Sequence, residues 1–128
     1  MLPFEQVHHV AIICTDEAMA RHFYIDQLGF MLLRETRRAE KNDCKLDLRL
    51  GSMELELFIK PDAPKRPSYP EACGLRHLAF RVKDAQAAVD ALAARGVVCE
   101  PLRTDEVTTC GRMTFFQDPD GLPLEIHE

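Results

Sequence analysis

Positive charge and long apolar runs are both scarce in this sequence. The 128 residues contain 16 Lys and Arg against 21 Asp and Glu, a formal net charge of −5. Nucleic acid is therefore not expected as a partner, because binding to phosphates needs a basic surface. A small basic cluster, Arg34, Arg37, Arg38 and Lys41, is interrupted by acidic residues, and we interpret it as a solvated loop. No run of 18 apolar residues occurs, so no membrane-spanning helix is expected.

Paired cysteines are also missing. The five cysteines form an odd set without a CxxC pair: Cys14, Cys44, Cys73, Cys99 and Cys110. Such a scatter is typical of reduced thiols, not of a disulfide framework. Cys14 and Cys99 lie in apolar stretches, where we expect buried thiols. The N-terminus lacks the basic-then-apolar order of a signal peptide, so the sequence predicts a cytoplasmic protein.

Two stretches of the chain repeat one pattern. Residues 7–16 read VHHVAIICTD and residues 75–84 read LRHLAFRVKD, so that His9 and His77, like Asp16 and Asp84, are 68 residues apart. After each Asp comes a helical pattern closed by Gly29 or Gly96. Asp before a helix and Gly just after it are start and stop signals. The agreement of these spacings indicates an internal duplication.

Each half continues from its helix into three strands. We predict strands roughly at 30–37, 45–50 and 53–59, and again roughly at 97–102, 112–117 and 122–127. The sequence therefore predicts an α+β fold of two βαβββ modules. We predict one domain over residues 1–128, with modules at 5–60 and 75–128. The proline-rich segment 61–74 between them is expected to be an extended linker.

The duplication carries one carboxylate as well as one histidine. Glu56 and Glu125 lie on the last strands of the two halves, 69 residues apart. Because side chains alternate along a strand, Leu55, Leu57 and Ile59 should cover the helix and leave Glu56 on the other face. The same alternation places His9, His77 and Glu125 away from the helices, and His8 on the helix side.

Two imidazoles and two carboxylates suit a borderline divalent metal such as Zn, Ni, Mn or Fe. One carboxylate could also serve as a general base. A single strand histidine is more often a structural residue, and a single strand glutamate more often faces solvent. Neither alternative explains why both recur at matched spacing, so the set favours a metal site at His9, Glu56, His77 and Glu125.

The chain resembles the vicinal oxygen chelate superfamily, which includes glyoxalase I, extradiol dioxygenases, fosfomycin-resistance proteins and bleomycin-binding proteins. The resemblance covers nearly the whole chain and rests on VHHVAI, YIDQLGF, MELELF, GLRHLAFRV and FFQDPDGLPLEI. Within it, the sequence is similar to the short bacterial glyoxalase-I-like proteins of the YaeR type. The resemblance implies paired βαβββ modules that form a curved mixed sheet around a metal cavity, often in a homodimer. It places the metal ligands at His9, Glu56, His77 and Glu125.

The glyoxalase I pattern of His, Glu, His, Glu implies one divalent metal per site, Ni or Zn before Mn, Co or Fe. It also implies proton transfer through an enediolate on the hemithioacetal of a 2-oxoaldehyde and a thiol, with Glu125 or Glu56 as the base. That family has an Arg four residues after its first ligand and favours an Asn four residues after its second. This chain has Ile13 and Lys60 there, which suits a smaller or less acidic substrate than glutathione.

Two arginines could contribute to substrate binding in place of the missing one. Arg49 and Arg81 share the predicted faces of the ligands and could bind another anion, although each could equally be a rim charge. A non-catalytic binding protein of the bleomycin-binding kind and an iron-dependent dioxygenase stay open as alternatives. The second would require Glu56 to leave the metal.

Overall fold

The computed structural model describes residues 1–108 and 111–128, so Cys110 lies outside the described residues. The chain divides into two compact units, Met1–Pro64 and Lys65–Glu128. Each unit contains a four-stranded mixed sheet and a helix that follows its first strand. The α+β class expected from the sequence is confirmed.

The first unit runs through four strands with β1 at one edge. Its elements are β1 (Val10–Cys14), α1 (Glu17–Arg21), a π-helical segment (His22–Gln27), β2 (Met31–Arg38), a 3-10 turn (Ala39–Lys41), β3 (Asp43–Leu50) and β4 (Met53–Ile59). The strand order is β1-β4-β3-β2, with β1 parallel to β4 and the other pairs antiparallel. This order brings the first strand beside the last.

The second unit has the same arrangement with a much shorter second strand. Its elements are β5 (Leu78–Arg81), α2 (Ala85–Ala94), β6 (Arg103–Thr104), β7 (Arg112–Gln117) and β8 (Pro123–His127). The order is β5-β8-β7-β6, and β5 is parallel to β8. In both units, therefore, the strand that follows the repeated histidine lies beside the strand that carries the repeated glutamate.

The helices begin and end where the sequence predicts. Asp16 accepts a hydrogen bond from the Met19 amide at 2.8 Å, and Asp84 accepts one from the Ala87 amide at 3.0 Å. These caps satisfy amides that have no partner inside the helix. Gly29 and Gly96 both have φ of 83°, a conformation that favours glycine at a helix end.

The apolar faces of the sheets form the cores of the units. On β4, Leu55, Leu57 and Ile59 are buried, which confirms the predicted alternation. Leu124 and Ile126 are the buried residues at the matching places of β8. The opposite faces of β4 and β8 carry Glu56 and Glu125.

The prediction of a strand over residues 97–102 is wrong, because only Arg103–Thr104 pairs with β7 as a ladder. The Glu100 amide donates to the Phe115 carbonyl at 2.9 Å, and the Thr114 hydroxyl donates to the Glu100 carbonyl at 2.6 Å. Pro101 has no amide hydrogen, so the pairing with β7 is interrupted after Glu100 and resumes at Arg103–Thr104.

The interpretation of the basic cluster as a solvated loop is also wrong. Arg34, Arg37 and Arg38 lie on β2, and each pairs with a carboxylate. The partners are Asp47 for Arg34 at 3.0 Å, Glu17 for Arg37 at 2.7 Å and Asp43 for Arg38 at 2.5 Å. Alternating charge along an edge strand accounts for the pattern, because the unpaired edge of a sheet is protected by charged side chains.

Glu128 ties the end of the chain to α2 and β7, and this contact predicts a pH effect. Its carboxylate accepts from the Ala85 amide at 2.9 Å and from Arg112 Nη2 at 2.6 Å. The hydrogen bond from the Arg112 side chain is the main cause that lowers the pKa of Glu128 from 4.5 to about 2. Hydrogen bonds from the backbone amides of Ala85 and Arg112 contribute as well. A lowered carboxyl pKa stabilises the fold above about pH 4.5, and this stabilisation is lost as the pH falls towards 2.

We therefore expect Glu128→Gln to unfold at a lower temperature than the wild type at pH 7. The difference should shrink as the pH falls from about 4.5 to about 2, because the carboxyl group of the unfolded chain takes up its proton near pH 4.5 and the native carboxylate does so only near pH 2. Thermal unfolding followed by circular dichroism across this range measures it, with Glu106→Gln, at an exposed position, as the control. A difference that is the same at all pH values would show that the charge of Glu128 is not what matters.

Candidate metal centre

The first repeated histidine contacts the first repeated glutamate. His9 lies one residue before β1, and His9 Nε2 is 2.6 Å from Glu56 Oε2 on β4. Ala11 is paired with Glu56 across the two parallel strands, and its small side chain leaves room beside the carboxylate. His8, which we expected on the helix side, is exposed instead, and its Nδ1 lies 2.9 Å from His9 Nδ1.

The second pair repeats this arrangement in the second unit. His77 lies one residue before β5, and His77 Nε2 is 2.9 Å from Glu125 Oε2 on β8. Ala79 is paired with Glu125 as Ala11 is with Glu56. Only 7% of the Glu125 side chain is exposed, compared with 19% for Glu56. Each unit thus presents one imidazole nitrogen and one carboxylate oxygen at contact distance.

The surroundings of Glu56 are ionic. Lys45 Nζ lies 2.7 Å from Glu56 Oε1 and 3.3 Å from Asp47 Oδ1 on the neighbouring strand β3. The hydrogen bond to Glu56 is the main cause of a raised Lys45 pKa. Burial opposes ionisation of Asp47, but hydrogen bonds from Arg34 and Lys45 outweigh it and lower its pKa. Glu56 therefore has one oxygen towards His9 and the other towards a fixed cation.

The surroundings of Glu125 are aromatic. Phe115 is paired with Glu125 across β7 and β8, at the position that Asp47 takes beside Glu56. The His77 ring meets the Phe115 ring edge to face, with the centroids 5.2 Å apart. Arg103 lies over the same ring, with its guanidinium carbon 5.4 Å from the centroid.

A cavity of about 830 Å³ opens beside this second pair, within the second unit. His77, Glu125 and Phe115 line it on the sheet side. Residues of the segments 66–72 and 98–100 line it from the loops. Its size lies in the range of pockets for small ligands, which is roughly 300–1,000 Å³.

The remaining residues predicted to bind substrate lie on exposed parts of the strands or at their ends. Ile13 is 54% exposed on β1, where it pairs with Phe58. Lys60 follows β4, with Nζ 3.4 Å from Asp43 Oδ2. Arg49 is exposed on β3, with Nη2 3.9 Å from Met31 Sδ. Arg81 is exposed on β5 and pairs in register with His127.

The two cysteines that we expected to be buried differ in the structure. Cys14 is buried as predicted, whereas Cys99 is only partly buried and lines the cavity. Burial raises the pKa of the Cys99 thiol, so it is neutral at pH 7. We therefore assign it no role as a thiolate.

Among the described residues, three or more potential ligand atoms meet within 4.8 Å in one group only, and it contains none of the repeated histidines and glutamates. Glu17, Glu35 and Cys44 have ligand atoms within 4.8 Å of one another. Both carboxylates already pair with arginines: Arg21 Nη2 is 2.6 Å from Glu35, and Arg37 Nη2 is 2.7 Å from Glu17. Burial also raises the pKa of the Cys44 thiol. We interpret this group as an ion-pair network that fastens α1 to β2.

Sequence reasoning missed the neighbours of the ligands. Lys45 and Asp47 could have been found by applying strand alternation to the sequence KLDLRL, where polar and apolar residues alternate. Phe115 and Arg103 carried no such signal, since a phenylalanine within a strand is usually a core residue.

Comparison with known proteins identifies the family. The model of the Glyoxalase/Bleomycin resistance protein/Dioxygenase superfamily matches residues 6–126. This chain belongs to that superfamily. Its members include glyoxalases, fosfomycin-resistance enzymes and dioxygenases, and they typically bind a divalent metal. They bind small molecules and are often dimers.

Two whole-length relatives and one partial relative illustrate the match. The uncharacterized protein YaeR of Escherichia coli K12 is 54% identical over 100% of this chain and 99% of its own. A solved glyoxalase family protein from Enterococcus faecalis is also 54% identical, with a TM-score of 0.94 over 99% of this chain and all of its own. The metallothiol transferase FosB of Shouchella clausii is 34% identical over 61% of this chain and 53% of FosB. Among the described residues, no helix is both long and apolar enough to cross a bilayer.

Proposed function

We propose that this protein is a divalent-metal-dependent enzyme of the glyoxalase I type. It would move a proton between adjacent carbons of a small molecule with vicinal oxygens, such as the hemithioacetal of a 2-oxoaldehyde and a thiol. The observation that supports this most strongly is a contact that occurs twice. An imidazole Nε2 lies 2.6 Å from Glu56 and another lies 2.9 Å from Glu125, at equivalent places beside two parallel strand pairs.

The residues fit a divalent metal by the chemistry of their donors. His9, Glu56, His77 and Glu125 offer two nitrogens and two oxygens, a set that suits zinc, nickel, manganese, cobalt or iron(II). His9 also has a second ring nitrogen 2.9 Å from His8 Nδ1, a contact that could fix its ring orientation. When bound, the metal would act as a Lewis acid and stabilise negative charge on the vicinal oxygens of the substrate.

A difference between the surroundings of the two glutamates supports separate roles for them. Glu56 Oε1 is held by Lys45 at 2.7 Å, so this carboxylate is fixed and its charge is compensated. No lysine or arginine pairs with Glu125 in the described part of the chain, and Glu125 lies on the wall of the cavity. We therefore propose Glu125 as the base that takes and returns the proton, and Glu56 as a positioned ligand.

The family and the sequence also support proposals on oligomeric state, compartment and substrate size. Superfamily members are often dimers, and we propose a homodimer for this chain, which size-exclusion chromatography with light scattering would detect. We also propose that it acts in the cytoplasm, as the scattered cysteines predict. Ile13 and Lys60 replace the two side chains expected for glutathione, so a smaller thiol adduct is the better candidate substrate.

The test is a substrate screen on metal-reconstituted protein. Methylglyoxal is combined with glutathione, mercaptoacetate or 2-mercaptoethanol, and thioester formation is followed with zinc or nickel and after chelation. We expect thioester from at least one adduct, and only when metal is present. If none of the adducts reacts with either metal, the glyoxalase proposal is wrong.

A binding protein is the second candidate, because the cavity of about 830 Å³ could hold a drug-sized molecule without reaction. Charged groups are costly in a binding pocket unless they are paired or bind a metal. Metal-free wild-type protein that binds a small molecule tightly and does not change it would favour this candidate.

A further inference from the structure

Three arginines line the cavity beside His77 and Glu125: Arg66, Arg76 and Arg103. Two of them are engaged at short distance. Arg66 Nη2 donates to the Leu75 and Arg76 carbonyls at 2.6 and 3.0 Å, and Arg76 Nε donates to Glu71 at 2.6 Å. These contacts hold Arg66 Nη2 and Arg76 Nε on groups of the loop itself, whereas Arg103 is the arginine of the three that lies over the ring in contact with His77.

Arg103 is the third arginine, and it is much less engaged. Its carboxylate neighbour is Glu100, with Arg103 Nη2 3.7 Å from Glu100 Oε2. The two side chains are 59% and 60% exposed, so this is a loose surface pair of small energetic value. The donors of Arg103 are therefore accessible to a ligand that enters the cavity.

Arg103 lies against an aromatic ring. Its guanidinium carbon lies 5.4 Å from the centroid of Phe115, and Arg103 pairs in register with Met113 on β7. A guanidinium that stacks on a ring keeps its planar fork free for an oxyanion. Phe115 in turn contacts the His77 ring at 5.2 Å, so that one aromatic ring separates the cation from the metal-ligand pair.

We propose that Arg103 determines substrate specificity by binding an oxyanion, a carboxylate or a phosphate-type group, at the end of the substrate remote from the reacting carbons. The middle of the substrate would lie against Phe115. This inference rests on the proposed function, because it assumes that the vicinal oxygens bind beside His77 and Glu125. It adds the substrate class: a short anionic compound with vicinal oxygens.

The test uses unreactive probes, so its readout is binding and not activity. A hydroxamate offers two adjacent oxygens to a metal, and succinic monohydroxamate adds a carboxylate tail that its methyl ester lacks. Their affinities for zinc-loaded protein are measured by calorimetry, together with a phosphonate-tailed hydroxamate. We expect the carboxylate or the phosphonate to bind about tenfold more tightly than the ester, at the lower end of the range for a charged hydrogen bond because Arg103 is partly exposed.

Three variants decide the cause of that preference. Arg103→Met should abolish it and leave the affinity for the ester unchanged, and Arg103→Lys should keep part of it. Arg95→Met, which removes an exposed arginine outside the cavity lining, should keep it fully. Equal affinity for the acids and the ester in wild type, or a preference that persists in Arg103→Met, would overturn the proposal while the metal site stands. If the ester does not bind either, the proposed function fails as well.

Discussion

Replacing Glu125 with glutamine is expected to lower the kcat of the metal-loaded protein by about 10²- to 10⁴-fold, the usual contribution of a general base. Glutamine has nearly the same shape and should preserve the packing against β5 and β7. It cannot accept a proton at the atom that lies 2.9 Å from His77. The measurement is kcat on whichever thiol adduct the wild type converts, with circular dichroism to verify the fold.

Two control variants make this result specific. Glu100→Gln removes another carboxylate from the same cavity and should leave kcat within about twofold, since surface substitutions of this kind have small effects. Glu56→Gln should weaken metal binding more than it lowers the kcat of the metal-loaded protein. The reason is that Glu56 is proposed as a ligand, held by Lys45 at 2.7 Å, and not as the base. Undiminished turnover by Glu125→Gln would remove this carboxylate as the base.

Loss of either repeated histidine is expected to weaken zinc or nickel binding strongly. Loss of a residue that only hydrogen-bonds to a metal ligand typically lowers metal affinity roughly 10- to 100-fold, and loss of a ligand itself should lower it more. His9 Nε2 lies 2.6 Å from Glu56, and His77 Nε2 lies 2.9 Å from Glu125. His9→Ala and His77→Ala remove that nitrogen and leave the carboxylate without its partner. Competition against a chelating dye measures the affinity of each variant.

The matched control is His22→Ala. His22 is exposed on the π-helical segment, and its Nδ1 lies 3.3 Å from Asp26 Oδ2. It pairs with no other carboxylate of the described residues. It should bind metal like the wild type. Equal affinities for His9→Ala, His77→Ala and His22→Ala would mean that the repeated histidines are structural, as single strand histidines usually are.

The fold could be predicted because its signals are local and occur twice. Asp16 and Asp84 cap their helices, and Gly29 and Gly96 end them, as their spacing implied. Period-two alternation on β4 sorted Leu55 and Leu57 from Glu56 without any knowledge of the tertiary structure. Such features depend on neighbours a few residues away, which a sequence displays directly.

Features that depend on pairing between strands could not be predicted in the same way. The chain over 97–102 is apolar like a strand, but Pro101 interrupts the pairing with β7 between the bond from Glu100 and the short ladder at Arg103–Thr104. The ionic partner of Glu56 and the aromatic partner of Glu125 follow from the register of β3 with β4 and of β7 with β8. No spacing along the chain reveals that Asp47 and Phe115 take equivalent places in the two sheets.

This difference between the two sheets supports the separate roles proposed for Glu56 and Glu125. The face around Glu56 is charged, with Lys45, Asp47 and Arg34 in one network. The face around Glu125 carries Phe115 and opens into the cavity. We infer that the first unit mainly fixes a ligand and that the second contacts the substrate.

The central claim is that the repeated histidine and glutamate bind a metal. It is tested most directly by elemental analysis of tag-free wild-type protein beside Glu56→Ala, with Glu54→Ala, two residues away on the same strand, as the control. We predict about one zinc or nickel ion per chain in wild type and in Glu54→Ala, and a clear loss in Glu56→Ala. Iron that survives the Glu56 substitution would favour an oxygenase. Wild-type protein without metal, even after reconstitution, would contradict the account.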